Sequence, residues 1–390
     1  YGPGLDTGAI TLASTIDDAP YYYSGTDARL VKNYTEGQYL GYMTVREALT
    51  RSQNVPAVKV LTQITPSVGF SYLEKFGLST LVSTKNAING NHDVVQSLAL
   101  GGMTKGVCNI DMTAAYAAIA NKGTYTKPIY YTKVLDREGN VIIDNSIPET
   151  HRVLKESSAW LLTSGMESVV NSGTATRAKL SNQPVAGKTG TTQFDTDIWF
   201  CGFTPYYTCA VWGGYDDNKE CDYDTSFRFR LWKGIMSRIH ENLESKDFKV
   251  PTSVEKKSIC TITGKLATNG CPSITEYFAK DTLPSETCSG HGYSSGRKYK
   301  SSTEDNDTTE DASSYSNNTG NSYNNNTGTT SDNTGGNTGG STGGNTGGST
   351  GGNTGGSTSG NTGGGSTGGN TGGGSTGGNT GGSTGGDTSQ

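Results

Sequence analysis

The chain has 390 residues, a formal net charge of −5 and 56 glycines, and only 31% of its residues are hydrophobic. Seven of its 36 acidic residues and none of its 31 basic residues lie beyond residue 300, so the first 300 residues carry a formal charge of +2. This nearly neutral body argues against a protein that binds nucleic acid or anionic lipid through bulk charge.

The last part of the chain has low sequence complexity. From residue 301 onward it holds 29 of the 56 glycines, many in NTGG and STGG repeats, and its only large aromatic or apolar residues are Tyr315 and Tyr323. Such a segment cannot bury enough apolar surface to offset an ordering entropy of roughly 1–2 kcal/mol per residue. We therefore expect a folded domain at 1–250, a cysteine-containing extension at 251–296 and a disordered tail at 297–390.

The first predicted helices follow local start and stop signals. Thr44 and Glu47 form a capping box in TVRE, which predicts a helix start at Thr44. Pro56 predicts a break near Val55, because the residue before a proline is disfavoured in the α region. A second helical stretch follows this break, and a further helix is predicted to begin at Thr65-Pro66.

The middle of the chain alternates between helix and strand signals. Helices are predicted at about 110–121, 156–170 and 229–242, and a β-hairpin is predicted in KPIYYTKVLDREGNVIIDN. Three strands are predicted in QPVAGKTGTT, DIWFCGFTP and YTCAVWGGYD, joined by turns short enough for an antiparallel meander. Helices around an antiparallel sheet indicate an α+β fold.

Seven cysteines are present, and three of them, Cys260, Cys271 and Cys288, fall in the extension. Their spacing matches no paired Cys-x-x-Cys or Cys/His framework for zinc. We therefore expect buried thiols and one disulfide of an exported protein, with no metal site. The odd number leaves at least one cysteine unpaired within the chain.

Lys188-Thr189-Gly190-Thr191, preceded by Gly187, lies within the first of the three predicted strands. Glycine is rare inside a strand unless another backbone approaches closely, and a strand edge of this kind can accept an extended peptide. The lysine and the hydroxyl groups suit a terminal carboxylate. Alternatively, Lys188 is a solvated lysine that protects an edge strand, and the glycines mark a bulge.

Ser52 and Asn54 lie two residues apart in the predicted turn between helices. Side chains in this arrangement can face one cleft, where the serine transfers a proton and the asparagine binds an amide. Serine and asparagine also favour turns for purely local reasons, because they hydrogen-bond to nearby backbone.

Ser-x-Asn followed by Lys-Thr-Gly reproduces the last two of three motifs that define penicillin-binding proteins and serine β-lactamases. The flanking blocks TRSQNVPAVKVL, DMTAAYAAIANKGTY and AGKTGTTQFDTDIWFCGFTP closely resemble class A penicillin-binding proteins, and the resemblance covers about residues 1–295. It implies an antiparallel sheet sandwiched by helices, and a D,D-transpeptidase that cross-links peptidoglycan outside the cytoplasmic membrane.

The resemblance also implies roles for the motif residues. Ser52 would relay a proton to the leaving amine near Lys188, and Asn54 would hold the amide of the substrate. Lys188, Thr189 and Thr191 would bind the terminal carboxylate of a D-Ala-D-Ala stem peptide or a β-lactam, while Gly190 allows close approach. The Thr191 N–H would supply half of an oxyanion hole. No cofactor is implied.

The first motif of the family, Ser-x-x-Lys, precedes Ser-x-Asn, and no residue between Tyr1 and Ser52 completes it. We expect the sequence to begin just after this motif. The chain would then lack the nucleophilic serine, the glycosyltransferase domain and the membrane anchor, and it would be inactive alone.

Three later matches to the family motifs are rejected as coincidences. Ser253 and Lys256, and likewise Ser295 and Lys298, spell Ser-x-x-Lys, but both pairs follow Lys-Thr-Gly. The Ser-Asp-Asn sequence at 331–333 lies in the expected disordered tail.

Two alternatives to a transpeptidase are retained. One is a serine β-lactamase or D,D-carboxypeptidase, in which water replaces the acceptor amine. The other is a non-catalytic module that binds the cell wall, with the glycine-rich tail as a tether.

Overall fold

The computed structural model describes residues 1–25, 28–35, 37–222 and 224–290. The expected disordered tail at 297–390 lies outside this part of the chain. The helices in the described ranges are α1 (Gly2–Asp6), α2 (Val45–Arg51), α3 (Asn54–Ile64), α4 (Pro66–Lys75), α5 (Asn109–Ala120), α6 (Glu156–Ser172) and α7 (Phe227–Ile239). No helix in these ranges meets the length and hydropathy needed to cross a membrane.

The strands in the same ranges form small antiparallel sheets. They are β1 (Thr15–Asp18), β2 (Gly41–Thr44), β3 (Thr124–Thr126), β4 (Lys133–Leu135), β5 (Val141–Asp144), β6 (Thr150–Arg152), β7 (Ala186–Thr191), β8 (Asp197–Phe203), β9 (Thr208–Gly214), β10 (Val254–Cys260) and β11 (Ser273–Ala279). The pairs are β1–β2, β3–β6, β4–β5 and β10–β11, and the central sheet has the order β7-β8-β9. The predicted hairpin is β4–β5, and the predicted meander is the central sheet.

The central sheet positions the Lys-Thr-Gly motif at an edge. In its register Lys188 lies opposite Cys201 and Gly190 lies opposite Trp199. Among the described strands β7 pairs only with β8, so its other edge has no strand partner. This is the geometry in which an extended peptide can add to a sheet.

Helices pack against the central sheet and bury its apolar side chains. Phe200 of β8 packs edge-on against Trp232 of α7, with ring centroids 5.1 Å apart, and both residues are fully buried. Helix α5 packs against β8 and β9, and α6 packs against β7. Burying a side chain such as Phe200 contributes about 1.5–3 kcal/mol. The predicted α+β fold with a sandwiched antiparallel sheet is confirmed.

The turn between α2 and α3 differs from the sequence prediction in one respect. The N-cap half of the predicted capping box is present, since the Glu47 backbone N–H donates to Thr44 Oγ1 at 3.1 Å. The chain leaves the helix at Ser52, however, and α3 already includes Val55 and Pro56. The predicted break near Val55 is therefore wrong by a few residues. A proline in the first turn of a helix costs little, because that N–H has no partner within the helix.

The C-terminal hairpin β10–β11 lies against α2 and α6. Tyr277 of β11 stacks edge-on against Trp160 of α6 with centroids 4.7 Å apart. Glu276 accepts two hydrogen bonds from Arg46 of α2, from Nε at 2.6 Å and from the terminal nitrogen at 2.7 Å. The hairpin is thereby anchored to the helix that ends at Ser52.

Candidate active site at the edge of strand β7

A pocket of about 430 Å³ opens between the α2–α3 turn and strand β7. All of the site residues predicted from the sequence line this pocket: Ser52, Asn54, Lys188, Thr189, Gly190 and Thr191. The α2–α3 turn and the sheet edge are far apart in sequence, so only the tertiary fold brings the two motifs together.

Lys188 and Ser52 form the direct link between the two motifs. The Lys188 ammonium donates to Ser52 Oγ at 2.6 Å and to the Thr189 carbonyl at 3.0 Å. Burial, and to a lesser extent the positive charge of Arg228, lowers the pKa of Lys188 to about 8. A lysine with this pKa can both lose and regain a proton near neutral pH, as general acid–base chemistry requires.

Ser52 has a strained backbone. It caps the C-terminus of α2 with φ 59° and ψ 43°, in the left-handed region. That conformation costs a non-glycine residue roughly 1–2 kcal/mol. This conformation directs the serine hydroxyl to Lys188 of β7. The strained residue is therefore also a residue of the candidate site.

Asn54 is fixed by the loop between β1 and β2. Its side-chain Nδ2 donates to the Lys32 carbonyl at 2.7 Å, and its backbone N–H donates to Asn33 Oδ1 at 3.0 Å. The buried Asn33 is itself held by Asp18, to which its Nδ2 donates at 2.9 Å. This chain of hydrogen bonds sets the position of the α2–α3 turn.

Thr189 and Thr191 present hydroxyl groups from the same strand. Thr189 Oγ1 lies 2.9 Å from Thr174 Oγ1, and either hydroxyl can donate. Arg228 of α7 donates to Thr191 Oγ1 at 2.9 Å and to the Gly190 carbonyl at 3.0 Å. A guanidinium group next to the threonine adds a second cation to this end of the pocket.

Arg228 was not predicted from the sequence. Burial lowers the pKa of its guanidinium group, and its Nε has no hydrogen-bond partner among the described residues. The sequence feature that could have identified Arg228 is its place in the first turn of α7, where the helix dipole disfavours a positive charge. A residue that breaks a local rule in this way is a candidate for function.

The other side of the pocket is apolar. It is lined by Tyr1, Leu49, Val60, Leu61, Ile64, Leu73, Leu98 and Tyr116, among others. Ser52 is the only serine among the described residues that line the pocket.

The one rejected motif match that lies within the described residues does not line this pocket. Lys256 lies in β10 and Ser253 immediately precedes that strand, and neither residue lines the pocket. Ser295, Lys298 and the residues 331–333 lie outside the described part of the chain. Within that part, the one group of three or more potential metal ligands is the cysteine cluster of the C-terminal hairpin.

Comparisons with known proteins identify the family of the chain. The penicillin binding protein transpeptidase domain family matches residues 1–228, and the family of penicillin-binding protein 1A C-terminal domains matches residues 250–293. Penicillin-binding protein 1A of Clostridium botulinum is 36% identical over 302 residues, which are 73% of this chain and 35% of that protein. The corresponding protein of Aquifex aeolicus is 35% identical over 286 residues, 72% of this chain and 37% of that protein.

Solved structures share the fold. Penicillin-binding protein 1A from Haemophilus influenzae superposes with a TM-score of 0.62 at 23% identity, over 74% of this chain and 47% of that chain. The PonA1 protein from Mycobacterium tuberculosis in complex with penicillin V gives a TM-score of 0.55 at 24% identity, over 64% of this chain and 69% of that chain. The chain spans about a third of the length of the curated relatives it matches. With a family match over more than half of its residues, the chain belongs to the penicillin-binding protein transpeptidase domain family.

Proposed function

We propose that the pocket at β7 is the substrate site of a serine D,D-transpeptidase that cross-links peptidoglycan outside the cytoplasmic membrane. The observation that supports this most directly is the 2.6 Å hydrogen bond from Lys188 to Ser52, which lies beside an unpaired strand edge. Belonging to the family supports the same reaction type.

In this proposal a D-Ala-D-Ala stem peptide lies along the outer edge of β7 as an added strand. Its terminal carboxylate binds Lys188 and the hydroxyl groups of Thr189 and Thr191, while Arg228 adds a second positive charge. Gly190 has no side chain to obstruct the approaching peptide. The same contacts suit the carboxylate of a penicillin, and the M. tuberculosis relative was solved with penicillin V.

The chemistry is acyl transfer through a serine ester. A serine oxygen attacks the carbonyl carbon of the penultimate D-Ala, the peptide C–N bond breaks, and the leaving amine takes a proton relayed through Ser52 beside Lys188. The Thr191 N–H stabilises the oxyanion, and losing one such donor typically costs about 10²–10³ in rate. The amine of a second stem peptide then attacks the ester and forms the cross-link.

We propose that the acylated serine belongs to polypeptide outside the 390 residues. Ser52 is the only serine on the described pocket wall, and its hydroxyl is already bound by Lys188. The apolar side of the pocket would accommodate a helix that carries Ser-x-x-Lys. Residues 1–390 alone are therefore expected to form no stable penicillin adduct.

A fluorescent penicillin tests both parts of the proposal. Residues 1–390 are compared with a chimera in which the segment upstream of the matched region of the C. botulinum relative precedes Tyr1. The chimera should be labelled at one serine of the added segment, and residues 1–390 should not be labelled. In the chimera Lys188→Ala should abolish labelling, whereas Lys122→Ala, at an exposed lysine paired with Glu156, should not.

Circular dichroism and the melting temperature verify that the variants are folded. Labelling of the Lys188→Ala chimera at the wild-type rate would refute the carboxylate assignment. An adduct at Ser52 would show that the nucleophile lies within the chain. Rapid release of the label by water, with no transfer to an added amine, would favour a carboxypeptidase or β-lactamase.

A further inference from the structure

Three cysteines of the C-terminal module, defined as residues 250–293, meet in space although they are distant in sequence. Cys260 ends strand β10, Cys271 lies in the loop before β11, and Cys288 follows β11. Their sulfur atoms all lie within 4.8 Å of one another. The sequence offered no close pair that would have predicted this cluster.

Short backbone hydrogen bonds fix two of the three positions. The Cys260 N–H donates to the Lys265 carbonyl at 2.8 Å, and the Cys288 N–H donates to the Leu266 carbonyl at 2.8 Å. Because Lys265 and Leu266 are adjacent, the loop between the strands holds Cys260 and Cys288 side by side.

The third cysteine is tied to the same loop through Thr268. The Cys271 N–H donates to the Thr268 carbonyl at 3.1 Å, and the Thr268 hydroxyl donates to the Cys288 carbonyl at 3.2 Å. Thr268 Oγ1 also lies 3.4 Å from Cys271 Sγ. The backbone therefore places all three sulfur atoms around one point.

The geometry suits a tetrahedral metal ion. With Zn–S bonds of about 2.3 Å, two sulfur ligands lie roughly 3.8 Å apart, so sulfur atoms within 4.8 Å need to contract only slightly. A disulfide can join only two of the three cysteines. The third thiol would then remain in contact with that disulfide. Cys260 and Cys288 are buried and Cys271 is half-buried, so the cluster is largely shielded from solvent.

The C-terminal module has few other sources of stability. Among its described residues, the buried apolar side chains are Val254, Ile259, Phe278 and Ala279, besides Cys260 and Cys288. Units of about 40 residues usually need a metal, a disulfide or a partner to remain folded. Here the module also packs on α6, and the cysteine cluster lies at the end of β10.

A positive charge lies beside the cluster. Lys265 forms an ion pair with Glu286 at 2.6 Å. The pKa of Lys265 is raised chiefly by its hydrogen bond to Glu286, and the charge of Cys288 raises it as well. Three thiolates around a divalent cation carry a net negative charge, and Lys265 interacts with the charge of Cys288 although its ammonium group is already paired with Glu286.

We propose that Cys260, Cys271 and Cys288 bind a zinc ion as three thiolates and that this ion holds the loop between β10 and β11. Thiolates select soft metal ions, and zinc accepts this tetrahedral geometry without redox chemistry. Each thiol loses its proton when it coordinates, so binding releases protons to the solvent. The site is structural and does not depend on the function proposed for the β7 pocket.

The test is metal analysis of the full 390-residue chain, purified with reductant from zinc-supplemented medium. Wild-type protein should hold a single zinc ion, released when a mercurial reagent titrates the thiols. The metal-free protein with Co²⁺ should develop sulfur-to-cobalt charge-transfer absorption and tetrahedral d–d bands. Cys260→Ser, Cys271→Ser and Cys288→Ser should each weaken metal binding by at least about 100-fold, since even outer-shell changes cost about 10–100-fold.

Cys108→Ser is the matched control, because Cys108 is exposed and lies outside the C-terminal module; this variant should keep the zinc ion and the cobalt spectrum. The cobalt spectrum of the wild-type chain tests the proposal even if a cysteine variant fails to fold. Wild-type protein that binds neither metal would overturn the proposal. A disulfide between two of the three cysteines in protein from zinc-supplemented medium would also overturn it. Such a disulfide lowers the mass by two hydrogen atoms, and peptide mapping locates it.

Discussion

The left-handed backbone conformation of Ser52 is unfavourable for local stability, although it places a residue of the candidate site. With φ 59° at the end of α2, this position suits glycine better than any residue with a Cβ atom. We predict that Ser52→Gly is more stable than Ser52→Ala by about 0.5–1 kcal/mol, after the greater unfolded-state entropy of glycine is subtracted. Urea unfolding of both variants measures this difference. Equal stability would show that the surrounding contacts, and not φ, determine the cost at this position.

The depressed pKa of Lys188 predicts a pH-dependent contribution to stability. Its folded-state pKa of about 8 lies below the ordinary 10.5, so between these values the unfolded chain binds more protons than the folded chain. Stability therefore rises with pH across this window, relative to a variant without the lysine. We predict that wild type gains about 2–3 kcal/mol over Lys188→Met between pH 8 and 10.5.

Urea unfolding of both proteins at several pH values measures this gain. The other titrating groups are shared by the two proteins, so their effects cancel in the difference. A constant difference from pH 8 to 10.5 would contradict the lowered pKa.

At the scale of the strand, the two glycines of β7 serve different purposes. A Cβ atom added at Gly187 would meet Phe200 at 2.7 Å and the Cys201 carbonyl at 2.9 Å, whereas one at Gly190 would meet Trp199 at 3.1 Å. We predict that Gly187→Ala destabilises the chain by about 1–3 kcal/mol, and Gly190→Ala by less. In the labelled chimera Gly190→Ala should slow penicillin acylation while the melting temperature changes little. A larger loss of stability in Gly190→Ala would reverse this assignment.

The elements that the sequence predicted well depend on local interactions. The capping box of Thr44 and Glu47 acts within one turn, and the β7-β8-β9 meander needs only short connections. The break near Val55 was misplaced, because Pro56 fits the first turn of a helix as well as it ends one.

Features that depend on the tertiary fold were not predictable in the same way. The cysteine cluster arises because a loop returns Cys288 to the end of β10, and Arg228 reaches Thr191 from a separate helix. The meeting of Ser52 and Lys188 was anticipated only through the family resemblance. Neither residue carries that information in its immediate neighbours, and Ser52 and Asn54 alone fit an ordinary turn.

At the scale of the whole described chain, Arg46 connects three parts of the fold. It pairs with Glu276 of the C-terminal hairpin, and it also donates to the Ser164 carbonyl and to Ser168 Oγ of α6, each at 2.8 Å. The Glu276 side chain is only 5% exposed, so its charge depends on this single arginine for an ion-pair partner among the described residues.

We predict that Arg46→Ala destabilises the chain by about 2–4 kcal/mol, because removing one partner leaves a buried carboxylate uncompensated. Arg51→Ala, one turn later on the same helix, is the matched control. It breaks the Arg51–Glu47 pair, whose side chains are 56% and 45% exposed, and such pairs contribute only about 0.3–0.5 kcal/mol. Urea unfolding followed by tryptophan fluorescence compares the two, and Trp160 lies against the hairpin where it reports undocking. Similar losses in the two variants would mean that apolar packing, rather than the buried ion pair, joins the hairpin to the helix that ends at Ser52.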